Sequence, residues 1–185
     1  MRGGRFRAVA VGVNVRRGLL NTIASSYLAP PALRHRLLRW CGVTVGPGVI
    51  VRAGFCFDNT DVVIGDGSFI NAGCYFDGRG AIRIGARCDV GMQVLFCTST
   101  HAVGAPQRRA GDATDISVAI GDGCWIGARA TLLPGVTVAP GCIVAAGAVV
   151  TRDTVPNGLY AGVPAVLVRE LGVGELGDDA ATALS

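Results

Sequence analysis

Large apolar residues recur along this chain every six positions, usually followed by a small one. Val45, Val51 and Phe57 form a first triplet, and Ile64, Ile70 and Phe76 a second. Ile84, Val90 and Phe96 follow, then Ile120, Ile126 and Leu132, then Val138, Val144 and Val150. Four positions after an anchor another small residue tends to stand, as at Ser68, Cys74, Cys88, Cys124, Ala130, Cys142 and Ala148. A helix repeats at about 3.6 residues and a half-buried strand at about 2, so neither explains the pattern. A three-sided coil of short parallel strands does. One anchor points inward on each side, small residues fill the corners, and three repeats close a turn. Five such coils, about 4.8 Å apart, make a prism about 24 Å tall.

The breaks in the period are as informative as the period. One extra residue separates the first triplet from the second, and two separate the second from the third, around Asp77-Gly78-Arg79-Gly80. Phe96 and Ile120 stand 24 positions apart where six suffice, so a long excursion leaves the prism just after Thr98-Ser99-Thr100-His101. Long insertions in repeat folds map to loops on one face and often carry function. Ahead of the prism, Pro31–Cys41 reads as a short helix with Leu33, Leu37, Trp40 and Cys41 on one face and Arg34, His35, Arg36 and Arg39 largely elsewhere. Such a helix covers the open end of the stack; a helix lying on a membrane surface is the other reading. Behind the prism, Pro156-Asn157-Gly158 turns the chain, Val163–Leu171 packs back, and the tail from Gly172 is Gly- and acid-rich and expected to fray. The predicted organisation is a helical capping segment over 1–42, the prism over 43–155 with a loop at 102–117, and a C-terminal extension over 156–185.

Composition agrees with stacked backbone. Half of the 185 residues are apolar, only 6% are aromatic and 28 are Gly, about twice the average usage of glycine. The net charge of +4, carried entirely by Arg, is too small and dispersed to point to nucleic acid. The seven cysteines are odd in number and contain no C-x-x-C, so neither a disulfide framework nor a zinc ribbon is indicated. Four of them stand at corner positions, where a thiol acts as a small buried hydrophobe. The start carries Arg2, Arg5 and Arg7 before the short apolar stretch Ala8–Val13, a poor leader peptide. A reduced, cytoplasmic protein is expected.

Against this background the segment Ile120–Val150 (IGDGCWIGARATLLPGVTVAPGCIVAAGAVV), with Thr151-Arg152-Asp153 and Ala161-Gly162-Val163-Pro164-Ala165, resembles the hexapeptide-repeat acyltransferases. Within them it looks most like the maltose, galactoside and colanic-acid O-acetyltransferase branch, over about Val43 to Arg169. The resemblance implies a left-handed parallel β-helix, a homotrimer, and acetyl transfer from acetyl-CoA to a hydroxyl, with no metal. It places the catalytic histidine at His101 and an acceptor-contacting asparagine at Asn71, thirty positions earlier. The CoA-contacting positions fall on Gly91, Ala128, Ala146, Thr151, Arg152 and Arg169. The chain departs from the family pattern in Ala102, where Pro often follows the histidine, and in Val166, where a first of two basic residues is usual.

The residues support this reading on their own. Counted round the coil from each triplet's first anchor, Asn71 and Gly91 fall at offset 7 and Ala128 and Ala146 at offset 8, in a column of short side chains on the second side. Such a column leaves a shallow groove for a long thin ligand such as pantetheine; the plainer reading is that stacking demands small residues there. His101 falls ten positions further round than Asn71, near another corner, so one acceptor touching both implies a site built between neighbouring subunits. An acceptor hydroxyl attacking a thioester needs a base, and imidazole suits the task. The proton then passes to the departing thiolate, and backbone N–H groups or Asn71 serve the oxyanion. Cys97 is the rival nucleophile, four positions before His101. Trp125 either packs on the loop or lines the groove. N-acetylation of an amino sugar or an antibiotic stays open, as does a non-catalytic scaffold. A zinc hydratase on this kind of coil needs three histidines, and the chain has only His35 and His101.

Overall fold

The computed structural model describes residues 15–172. The predicted character of the first thirteen residues and of the tail beyond 172 concerns residues outside that range. Within it the chain winds as a parallel β-helix with three sides. The first side stacks Thr44–Val45, Val62–Ile64, Ile82–Ile84, Val118–Ile120 and Thr137–Val138. The second stacks Ile50–Val51, Phe69–Ile70, Asp89–Val90, Trp125–Ile126 and Ile143–Val144, and the third Cys56–Phe57, Tyr75–Phe76, Leu95–Phe96, Thr131–Leu132 and Val149–Val150. Every six-residue anchor is at most 7% exposed. Burying each one contributes about 1.5–3 kcal/mol. Phe57, Phe76 and Phe96 lie one above another, with ring centroids 4.1 and 4.9 Å apart. A sixth layer on the second side comes from Gly158–Gly162, which pairs in parallel with Ile143–Val144 and then turns back into the antiparallel strand Ala165–Glu170.

The corner thiols do more than fill space. Cys88, Cys124 and Cys142 are buried between the first and second sides, and donate to the carbonyls of Gly121, Ala139 and Val155, each at 3.1 Å. Ser68 occupies the same corner one coil earlier and donates to Gly85 O at 2.8 Å. The corner therefore selects a small side chain that can also donate, tying one turn to the next. Cys74 lies at the following corner, where burial pushes its thiol up to about 11. Burial thus makes Cys74 an unreactive thiol, whereas a hydrogen bond with Cys124 pulls the buried Cys88 thiol down to about 7.

The stack begins with an open edge, and the N-terminal segment covers all three of its sides. Asn21, in the π-helical turn Leu20–Ala24, donates through Nδ2 to Phe57 O and accepts through Oδ1 from Phe57 N, both at 2.9 Å. Its carboxamide thus replaces the missing neighbouring strand on the third side. Arg39 Nη2 donates to Val45 O on the first side, and Arg34 Nη1 to Val51 O on the second, each at 3.2 Å. The Pro31–Cys41 helix starts on Pro31 at its first position and ends at Gly42, whose φ of 108° forms the left-handed cap.

The helix buries only part of the expected face: Cys41 is buried and Leu37 packs against the core, but the face turns toward Arg34 and Leu38. Arg34, Leu38 and Cys41 are buried, whereas Leu33 and Trp40 are 41% and 56% exposed. Arg34 is held by four carbonyls, those of Ala24, Ser26, Ala29 and Val51, at 2.9 to 3.2 Å. Its burial, with Arg52 nearby, pulls the guanidinium below its ordinary range. Arg34→Met leaves those carbonyls without their donor, a loss of about 3 kcal/mol. The expected result is faster hydrogen exchange at Gly54 N, which donates to Ser25 O at 2.7 Å, while coils further up the stack keep their protection. Among the described residues no helix is long and apolar enough to cross a membrane.

The long excursion is an antiparallel arm of two strands, Ser99–Val103 and Ala110–Asp115, and not an irregular loop. Buried Thr98 anchors its base: Oγ1 donates to Asp77 O at 2.6 Å and accepts from Gly80 N at 3.1 Å. Asp115 accepts from Arg79 N, so the two-residue irregularity at Asp77–Gly80 is the socket of the arm.

Candidate active site

On each two-residue strand of the second side the anchor faces inward, so the residue before it faces out. Phe69, Asp89 and Trp125 occupy this outward position on three successive coils and pair in register, Phe69 with Asp89 and Asp89 with Trp125. Together with Asn71, Val90 and Gly91 they line a cleft of about 410 Å³. Asn71 follows Phe69 by two residues and shares its face. Its Oδ1 accepts from Ala72 N at 2.8 Å, which orients the carboxamide and leaves Nδ2 without a partner among the described residues. Trp125, 40% exposed, lines this cleft.

Gly91 stands at the mouth of the turn that follows the second side. A Cβ there would lie 2.5 Å from Ala128 N and 2.8 Å from Ala128 Cα. Close stacking therefore already demands glycine, whatever else lies on the surface. Ala128 is half-buried and Ala146 exposed at the same turn in the next two coils, and Gly147 N donates to Ala128 O at 2.8 Å. Thr151 and Arg152 are exposed where the third side ends, and Arg169 is exposed opposite Leu159 in the C-terminal hairpin. The column of short side chains and the two arginines are thus surface features spread along the prism from the cleft.

His101 lies elsewhere. It is exposed on the arm, paired with Ala113, and does not line the cleft. Its Nδ1 is 2.9 Å from Gly111 O. A carbonyl only accepts, so Nδ1 is the donor in this contact and Nε2 is the ring nitrogen left to meet another group. One chain therefore brings Asn71 and Gly91 together and leaves the histidine on a projection beyond the third side. Cys97 is half-buried at the root of the arm, and burial together with Asp77 raises its thiol, which weakens it as a nucleophile. His35, the second histidine, is lowered by desolvation and by Arg39 and Arg34 on its own helix.

Phe69 and Asp89 escaped the reading of the sequence. The signal that finds them is simple: each immediately precedes a second-side anchor, as Trp125 does. Among the described residues no cation pairs with Asp89; the two ion pairs are Arg83–Asp61 at 2.7 Å and Arg87–Asp122 at 3.7 Å, both exposed. No group of three or more His, Cys, Asp or Glu side chains gathers among the described residues in a way that could hold a metal ion.

Residues 117–152 match the family model described as bacterial transferase hexapeptide (six repeats). Nodulation protein L of Rhizobium meliloti (strain 1021) is 42% identical over 132 residues, covering 71% of this chain and 72% of that protein. The chain belongs to the hexapeptide-repeat acyltransferase family. A relative from Schizosaccharomyces pombe is 38% identical over 60% of this chain, and only 54% of its own length is matched. Among solved structures, the hexapeptide-repeat acetyltransferase of Vibrio cholerae in complex with acetyl-CoA superposes with a TM-score of 0.78 at 27% identity, covering 92% of this chain and 91% of that one. A maltose O-acetyltransferase from Clostridium difficile 630 gives 0.78 at 26% identity, with coverage of 88% and 86%. The family likeness thus extends well beyond the matched repeats, into both the capping segment and the C-terminal hairpin.

Proposed function

We propose that this acyltransferase moves an acetyl group from acetyl-CoA to a hydroxyl of a sugar or similar small acceptor, with His101 as general base and Asn71 binding the acceptor. The observation that carries the proposal is the Nδ1 contact of His101 with Gly111 O, which leaves Nε2 to meet the acceptor on an exposed arm. The likeness to an O-acetyltransferase and to an acetyl-CoA complex supports the choice of reaction and donor.

The surface fits the donor. Gly91, Ala128 and Ala146 keep their part of the turn after the second side short, beside the exposed Met92 that stands in register below Ala128, so a thin pantetheine arm can lie close to the backbone along them. Thr151, Arg152 and Arg169 are exposed further along and are assigned to the nucleotide end. Acetyl-CoA supplies an activated acyl group. The chain supplies the rest: Asn71 Nδ2 orients the acceptor, His101 Nε2 takes its hydroxyl proton, and the same proton goes to the departing sulfur. Because His101 and the cleft are apart in one chain, the working unit is a homotrimer with its sites at the seams between subunits.

The test is release of CoA from acetyl-CoA against a panel of sugars, amino sugars and hydroxylated antibiotics, with the product treated with hydroxylamine. An acetyl ester is cleaved and an amide survives. Amide products throughout, or no acceptor-dependent release with any member, overturn the proposal.

A further inference from the structure

We propose that the acceptor carries an ammonium group, and that Asp89 binds it between the rings of Phe69 and Trp125. The reaction at the neighbouring hydroxyl rests on the acetyl-transfer reading above; the binding site does not. Three observations meet here. The side chains come from adjacent, registered strands, so the carboxylate is flanked by one aromatic residue on each side, about 4.8 Å away. All three line the same cleft, alongside Asn71. Asp89 has no cationic partner among the described residues, whose ion pairs are Arg83–Asp61 and Arg87–Asp122.

A carboxylate without a counter-ion, with an aromatic side chain on the strand to either side, is a place that favours a cation. A neutral polyol would satisfy its hydrogen bonds without meeting the charge, and a phosphorylated or carboxylated acceptor would be repelled. The cleft has the size of a small-molecule site, and an aminated monosaccharide or a polyol amine matches both its volume and its charge. The arrangement also bears on which atom is acetylated. A carboxylate partner favours the charged form of the amine. An ammonium nitrogen has no lone pair, so it cannot attack the thioester. The bond that forms is then carbon–oxygen at a hydroxyl, the bond that breaks is carbon–sulfur, and the hydroxyl proton leaves through His101 to the CoA thiolate.

Binding tests this without any turnover. Methyl 2-amino-2-deoxyglucoside and methyl glucoside are titrated into the intact protein by calorimetry, into wild type, Asp89→Asn and Asp89→Glu. The wild type is expected to bind the amine about tenfold more tightly than the neutral glycoside. Asp89→Asn should bring that ratio to about one, and Asp89→Glu should restore much of it. A wild-type ratio within twofold of one, binding of neither glycoside, or an equal loss of both in Asp89→Asn overturns the proposal. If the amine is preferred through Asp89 but acetyl-CoA releases no CoA in its presence, the ammonium site stands and the acetyl-transfer reading falls.

Discussion

Replacing His101 with alanine is expected to lower acceptor-dependent CoA release by about 10²–10⁴-fold, the usual contribution of a positioned general base. The residue is exposed on an arm whose base is anchored through Thr98, Asp77 and Arg79, so the coil stack and its circular dichroism should not change. The affinity for acetyl-CoA should change little, because the column Gly91, Ala128 and Ala146 is elsewhere. The loss therefore falls on kcat. Cys97→Ala is the paired control: a half-buried thiol held in the protonated form has no part in the reaction, and activity should stay within about twofold. Intact turnover in His101→Ala, or its abolition in Cys97→Ala with the fold preserved, reverses the assignment of roles.

The prism could be read from the chain because inward anchors are the one feature that a repeat must keep. Val45 through Val150 mark every strand of the five coils, and the interruption after Phe96 locates the arm. What the period does not report is anything facing outward. Phe69, Asp89 and Trp125 share no residue type, and only their common place before an anchor joins them. The capping segment was harder for a different reason. Arg34 reads as a surface cation because its partners are backbone carbonyls at an open edge, and no side-chain pattern announces them. Asn21 is legible only once Phe57 is known to lie on the first coil with its N–H and C=O unpaired by a strand below. The corner thiols were placed correctly as buried groups, but their donation to the next coil depends on carbonyl directions that spacing does not encode.

The separation of His101 from the Asn71 cleft leads to the sharpest expectation of all. Asn71→Ala removes the carboxamide from a half-buried place in the cleft, and in the proposed trimer this variant alone, like His101→Ala alone, should have no complete site. When the two variants are co-expressed or refolded together in equal amounts, random assembly puts an intact His101 opposite an intact Asn71 at about one seam in four. Activity should then return to about a quarter of the wild-type level, far above that of either variant alone. A site formed within one chain predicts no recovery at any mixing ratio, because every chain in the mixture lacks one of its two residues. The mixing curve should peak at equal proportions and vanish at both ends, a shape that neither contamination nor residual single-variant activity reproduces. A flat curve, with the trimer shown by light scattering, moves the whole site onto one subunit and requires the arm to fold back over its own prism.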